Sequence, residues 1–94
     1  MTENEMRIAL FEKDLKGAFQ LISLKIDDES HLHAGHVGAA QGGGHFRITI
    51  IAKEFEGLNT VKRHRLIYTA LKDRIPADIH ALTIKAFAPN EQTA

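Results

Sequence analysis

The chain has 94 residues, with 12 basic and 12 acidic side chains, six histidines and no cysteine. This length predicts one small domain with a modest core and leaves little room for a deep internal active site. The absence of cysteine excludes disulfides, thiolate nucleophiles and any metal site built from the chain's own thiolates. The formal net charge of zero disfavours a nucleic-acid binder that relies on electrostatics alone.

The sequence gives no sign of a membrane protein. No apolar run approaches the ~18 residues that suggest a membrane-spanning helix. The opening residues, MTENEMRIAL, lack the apolar core of a signal peptide and the Arg- and Ser-rich character of a transit peptide. We therefore expect a cytoplasmic protein without a membrane partner.

The N-terminal third predicts a helix followed by a strand. Thr2 and Glu5 have the spacing of a capping box, and apolar residues then recur at helical intervals over residues 3–16. Gly17 is the expected terminator of this helix. From residue 19 to residue 28 the apolar period changes to two, which predicts a half-buried strand. The alternating apolar residues of this strand are Ile22, Leu24 and Ile26.

The second half predicts a strand, a helix and a last strand. Alternation predicts strands over residues 45–53 and 80–87. Between them, Asn59 or Thr60 is expected to cap a helix that continues until Pro76 forces residue 75 out of helical space. The apolar face of this helix is formed by Leu66, Ile67, Ala70 and Leu71.

These elements predict a single α+β domain in the order α-β-β-α-β. The first two strands should pair antiparallel, and the helical crossover should place the third strand parallel to the second. The result is a three-stranded mixed sheet with the helices on one face. We expect an ordered core over about residues 3–88, with residues 89–94 as a loose C-terminal tail.

Residues 29–44 form a long connection between the first two strands. This segment, ESHLHAGHVGAAQGGG, contains three of the six histidines and five of the seven glycines. A hairpin usually needs two to five residues, and longer loops that persist are often functional. One interpretation is a solvated, flexible loop with incidental histidines, and another is a zinc site formed by His31, His33 and His36.

The helix that follows the second strand begins with a basic motif, Arg63-His64-Arg65. At 100° per residue Arg63 falls within the apolar face, so it should snorkel or pair with a carboxylate, for which residues 27–29 are candidates. Arg65 lies on the solvent side and, with Lys62, could contact phosphate. The motif is therefore open to two interpretations, support of the fold and contact with DNA.

His80 opens the last strand. A lone histidine there is most simply a structural residue. The sheet could also bring it beside the histidine-rich loop, which would form a patch of two imidazoles. Two neutral imidazoles make half of a metal site, and a partner would have to supply the other half.

Five short motifs occur in order along the chain: Asp28-Glu29-Ser30-His31-x-His33, His45-Phe46, Phe55-x-Gly57, Arg63-His64-Arg65 and Ile79-His80-Ala81-Leu82. Taken together, they resemble the BolA family over about residues 7–91. The resemblance implies an α-β-β-α-β fold related to the class II KH fold, in agreement with the elements predicted above.

The resemblance implies partnership with a monothiol glutaredoxin and a shared [2Fe–2S] cluster. In such pairs a glutaredoxin cysteine and glutathione supply sulfur, and the BolA-like partner supplies imidazole. The family's ligand positions correspond to His80 and to His33 in the loop, with His36 as the rival loop ligand and His45 as a more remote one. The isolated protein should hold no cofactor. Imidazole ligands protonate near pH ~6.5, so cluster retention should weaken at and below that pH.

The resemblance also implies an alternative function, because bacterial members regulate transcription of morphology and stress genes. The matching residues for DNA contact are Lys62, Arg63, His64 and Arg65. The sequence has no activated nucleophile and no paired acid and base carboxylates beside a cleft. We therefore expect neither enzymatic turnover nor a small-molecule substrate.

Overall fold

The computed structural model describes residues 2–30, 44–75 and 77–91, and these ranges form two helices and a three-stranded sheet. The α+β class and the order α-β-β-α-β are confirmed. Within the described ranges, no helix is long and apolar enough to cross a membrane. The elements are α1 (Glu3–Ala18), β1 (Leu21–Asp28), β2 (Gly44–Ala52), α2 (Thr60–Ala70) and β3 (Ile79–Phe87), with 3₁₀ turns at Lys53–Phe55 and Lys72–Arg74.

Strand β2 occupies the centre of the sheet. It pairs antiparallel with β1 and parallel with β3, as predicted. From Phe46 onward its side chains alternate, so Phe46, Ile48 and Ile50 are buried on one face while the residues between them are half-buried. Both helices contribute to the core on that face, which also contains Phe11, Leu15 and Ile67.

Helix α1 begins as the sequence predicts but ends later. Thr2 and Glu5 form the capping box, in which the Thr2 hydroxyl accepts the Glu5 backbone N–H at 3.1 Å. The prediction that Gly17 terminates the helix is wrong, because the helix continues through Ala18. The Phe19 ring is buried against Phe55, with ring centroids 5.2 Å apart. This tertiary contact, and not the glycine, coincides with the end of the helix.

Strand β1 departs from simple alternation at its start. The prediction that Ile22 lies on the buried face is wrong, because this side chain is 57% exposed. The pairing with β2 shifts between Leu21 and Ser23, so Ile22 is the extra residue of a β-bulge. The bulge allows Leu21 to pack against the core together with Leu24 and Ile26.

Helix α2 starts at the predicted cap. The Asn59 side chain accepts the backbone N–H of Lys62 at 2.9 Å. Ile67 and Leu71 are fully buried, as their helical spacing predicts. Leu66 was also expected on the apolar face, but it is 40% exposed because it lies about 100° around the helix from Ile67.

The end of α2 is set by tertiary contacts. The prediction of a helix that continues to the residue before Pro76 is wrong, because α2 ends at Ala70. Leu71 leaves helical geometry, with φ −102° and ψ 11°, while its side chain stays buried. The 3₁₀ turn that follows places Arg74 2.8 Å from Asp14 of α1 in an ion pair. Core packing and this ion pair therefore favour the tighter turn.

Candidate functional site

His80 lies at a β-bulge near the start of β3. Ile79 and Ala81 pair with consecutive residues of β2, so His80 is an extra residue in the parallel ladder. Regular alternation would place His80 on the same side as Leu82, which packs against the core. Instead the His80 side chain is exposed. The bulge therefore re-aims this imidazole away from the core.

His45 lies directly beside His80. The two ring centroids are 5.1 Å apart and the ring planes are inclined by 52°. His45 is 7% exposed and belongs to the central strand. Both polar backbone groups of His45 are hydrogen-bonded. Its N–H donates to Ser30 Oγ at 3.0 Å, and its carbonyl accepts the Glu29 N–H at 2.8 Å. The sheet thus pairs a rigid, buried imidazole with an exposed one.

The three histidines of the loop, His31, His33 and His36, lie outside the described residues, and their ligand roles stay predictions. The described residues on either side of them meet, because Ser30 Oγ accepts the backbone N–H of His45 at 3.0 Å. Ser30 and His45 therefore hold both described ends of the histidine-rich segment next to the His45–His80 pair.

Only one imidazole of the pair is accessible to a metal or a partner. Both ring nitrogens of His45 are enclosed by protein, whereas the His80 side chain is exposed. In the described part of the chain, no three His, Asp or Glu side chains converge as a metal site. Thiolate ligands would have to come from a partner, because the chain has no cysteine.

Arg63, predicted within the apolar face of α2, is indeed directed inward, with 11% of its side chain exposed. The predicted carboxylate partners at residues 27–29 are wrong. The Arg63 guanidinium donates to the carbonyls of Leu58 at 2.9 Å and Ala86 at 3.0 Å, and binds both carboxylate oxygens of Glu91 at 2.6 and 3.2 Å. Arg63 therefore ties α2 to the end of β3.

Glu91 belongs to the segment that was expected to be loose. Its carboxylate accepts the Ala88 backbone N–H at 2.6 Å in addition to the two Arg63 bonds. Two hydrogen bonds lower the pKa of Glu91 below its ordinary value: the bond from Arg63 has the larger effect, and the bond from the Ala88 backbone has the next largest. The chain is thus anchored at least as far as Glu91.

The other basic residues of α2 differ in exposure. Lys62 and Arg65 are exposed, and His64 is half-buried. Of the four residues predicted for DNA contact, Lys62 and Arg65 are exposed cations, whereas Arg63 is engaged within the fold.

Sequence reasoning missed two α1 side chains that reach the site. Asn4 contacts Ser30, and Arg7 contacts Asp78 just before His80. These partners are 26 and 71 residues apart in the sequence, so no local pattern could reveal them.

Comparison with known proteins decides the family. A family model described as BolA-like protein matches residues 15–91. The chain belongs to the BolA family. This BolA family member is 38% identical over 90 residues to the protein BOLA1, chloroplastic, of Arabidopsis thaliana, a match that covers 93% of the chain and 56% of the relative. It is 34% identical over 85 residues to the DNA-binding transcriptional regulator BolA of Haemophilus influenzae, covering 90% and 80%.

Solved BolA structures share the fold. The BolA domain of SufE1 from Arabidopsis thaliana superposes with a TM-score of 0.79 at 35% identity, covering 98% of this chain and 99% of that one. BolA1 from Mus musculus gives a TM-score of 0.72 at 31% identity, covering 95% and 68%. The chain spans 56% of chloroplastic BOLA1 and 20% of the SufE-like protein 1 of Arabidopsis thaliana, so it corresponds to part of these longer proteins.

Proposed function

We propose that this BolA family member is the imidazole-donating partner of a monothiol glutaredoxin and shares a [2Fe–2S] cluster with it. The observation that carries the proposal is the exposed His80, which a β-bulge turns away from the core and against His45. A chain without cysteine contributes no thiolate ligands. The glutaredoxin cysteine and glutathione would supply the sulfur ligands.

The chemistry of the donor set suits trafficking or sensing more than catalysis. A cluster with imidazole in place of two thiolates is less negative and has a higher reduction potential. His80 would bind through a ring nitrogen, and His45 would hold the imidazole in place by packing. Because His80 is at the surface, a partner can approach it without rearrangement of the core. The protein would therefore act as a partner without turnover of its own.

The short connection from Ser30 favours His33 over His36 as the second ligand. His33 is three residues after Ser30, so it can lie no further than roughly 11 Å from it along an extended chain. Ser30 itself is hydrogen-bonded to the backbone of His45, whose ring contacts His80. His36 is six residues from Ser30 and has about twice that reach, roughly 22 Å. The shorter tether costs less conformational entropy to order.

Titration of the protein with a monothiol glutaredoxin, glutathione and an iron–sulfur source under anaerobic conditions tests the proposal. We expect a one-to-one heterodimer whose visible absorption and circular dichroism differ from those of the glutaredoxin's own cluster-bound form. His33→Ala should lose this spectrum, whereas the matched variant His36→Ala should retain it. A mixture that shows only the glutaredoxin spectrum and no heterodimer by light scattering would contradict the proposal.

A second candidate function is DNA binding through α2. Relatives from Haemophilus influenzae and Vibrio cholerae, 34% and 37% identical, are named DNA-binding transcriptional regulator BolA. The exposed cations that support this function here are Lys62 and Arg65. The zero net charge of the chain predicts weak binding that is best detected at low salt.

Fluorescence anisotropy with a labelled DNA duplex at low salt tests this second function. We expect Arg65→Ala to weaken binding several-fold and to reduce the salt slope by about 1, because one phosphate contact is lost. Lys85→Ala is the matched control, since it removes one exposed cation from β3 instead of α2. Absence of binding at low salt, or equal losses in the two variants, would remove the basis for an α2 interface.

A further inference from the structure

A polar network at the start of α1 connects this helix to the segment before His80. Arg7 is 13% exposed, and its Nε lies 3.2 Å from Asp78 Oδ1. The same guanidinium donates to Asn4 Oδ1 at 2.8 Å and pairs with Glu3 at 2.7 Å. Arg7 is therefore held in one orientation by three groups, one of which belongs to a distant part of the chain.

Asp78 transmits this anchoring to the bulge. Its backbone carbonyl accepts the Gly44 N–H at 3.1 Å, and its N–H donates to the Arg74 carbonyl at 2.8 Å. Gly44 begins β2, and Asp78 is two residues before His80. The Arg7–Asp78 contact thus fixes the point at which β2 and β3 come together, immediately before the register shift that exposes His80.

Asn4 anchors the other side of the site. Its Nδ2 donates to Asp28 Oδ2 at 3.1 Å and to Ser30 Oγ at 3.2 Å. Ser30 Oγ also accepts the backbone N–H of His45 at 3.0 Å, and the Ser30 N–H donates to Asp28 Oδ1 at 2.9 Å. Asn4 therefore stabilises the hydroxyl that holds the backbone of His45.

We propose that Asn4 and Arg7 are positioning residues for the His45–His80 pair. Through Ser30 they hold the start of β2, and through Asp78 they hold the start of β3, so that the first two turns of α1 set the relation of the two imidazoles. A bulge in a parallel ladder lacks regular pairing, and its geometry persists only where neighbouring contacts define it. The proposal rests on the proposed function for the use of His80, but the positioning itself is a property of the metal-free protein.

If Asn4 and Arg7 only stabilised the fold, loss of any comparable link between α1 and the chain before β3 would have the same effect. A second ion pair between these parts of the chain tests that alternative. Asp14 and Arg74 also join α1 to the chain before β3, at 2.8 Å. Neither side chain hydrogen-bonds to Ser30 or Asp78. The Arg74 guanidinium attracts Asp78 electrostatically, and the Arg74 carbonyl that accepts the Asp78 N–H is retained when the side chain is replaced. Arg74→Gln therefore removes a comparable link between the same elements while leaving the Asn4 and Arg7 contacts in place.

The test uses the full-length, metal-free protein and its histidine side-chain NMR spectra. In the wild type we expect a nuclear Overhauser cross-peak between the His45 and His80 rings. Arg7→Gln and Asn4→Ala should weaken or abolish that cross-peak and shift the His80 resonances, whereas Arg74→Gln should lower Tm and keep the cross-peak. Asp78→Asn, which retains an acceptor oxygen for Arg7, should keep most of the wild-type cross-peak and most of the His80 resonance positions.

Two results would overturn the inference. One is an unchanged cross-peak in both Arg7→Gln and Asn4→Ala, and the other is an equal loss in Arg74→Gln. Asn4→Ala replaces a half-buried residue in the first turn of α1 with a good helix former, so it keeps the test decisive if Arg7→Gln fails to fold. Because the spectra are recorded without cluster or partner, failure of the glutaredoxin titration leaves this result unaffected.

Discussion

Replacement of His80 by alanine is expected to abolish the imidazole-dependent spectrum of the complex with glutaredoxin. His80 is the accessible imidazole of the described pair, because both ring nitrogens of His45 are enclosed. Loss of His80 removes a nitrogen ligand for which the neighbouring described residues offer no exposed substitute. We therefore expect complete loss of the heterodimer spectrum and at least a tenfold decrease in cluster retention, consistent with loss of a metal ligand.

The same variant should fold normally. The His80 side chain is exposed, and surface substitutions usually change stability by no more than about 0.5 kcal/mol. Thermal unfolding followed by circular dichroism should therefore give a Tm close to that of the wild type. This separation of binding from folding makes His80→Ala more informative than a substitution of the buried His45.

His64→Ala is the matched control, because it removes a half-buried histidine from α2. It should leave both the spectrum and the heterodimer intact. If His80→Ala gave the wild-type spectrum, or if His64→Ala lost it equally, the assignment of His80 as the ligand would be wrong. Spectra of both complexes, recorded at equal iron content, provide the comparison.

Replacement of Arg63 by methionine is expected to give the largest loss of stability among the basic-motif variants. The guanidinium bonds to the carbonyls of Leu58 and Ala86 at 2.9 and 3.0 Å would be lost, and the Glu91 carboxylate would lose its cation. We expect a decrease of about 2 kcal/mol in the free energy of unfolding, chiefly from the two carbonyl bonds. For a domain of this size that decrease is roughly 8–16 °C in Tm.

Arg65→Met provides the control for Arg63→Met. Arg65 is two residues away on the same helix and is exposed, so its substitution should change the stability by no more than about 0.5 kcal/mol. Urea unfolding of the two variants measures the difference. Equal midpoints would show that the contacts of Arg63 contribute nothing to the fold beyond those of a surface arginine.

Glu91, the carboxylate that pairs with Arg63, makes part of this stabilisation dependent on pH. The hydrogen bond from Arg63, and to a smaller extent the one from Ala88, lowers the pKa of Glu91 below its ordinary value of 4.5. A lowered folded-state pKa means that the carboxylate stabilises the fold above pH 4.5, and that this contribution is lost as pH falls below 4.5 through the folded-state value. The difference in Tm between wild type and Glu91→Gln should therefore be constant near neutral pH and shrink in acid.

The predictable part of the fold rests on interactions between near neighbours in the sequence. The capping box of Thr2 and Glu5, the cap at Asn59 and the alternation along β2 all follow from local geometry, and the structure contains each of them. The bulge at Ile22 was missed because alternation describes a regular strand. Its presence depends on how Leu21 packs against the core.

The sequence by itself determined the order of the elements, because local periodicity needs no knowledge of distant contacts. The resemblance of its five ordered motifs indicated the family, and that resemblance implied His80 as the candidate ligand. Only the tertiary structure decided that Arg63 binds Glu91, that His45 lies beside His80, that Asn4 contacts Ser30 and that Arg7 contacts Asp78. These contacts join residues separated by 26 to 71 positions, and core packing selects among the many pairings that composition alone would permit.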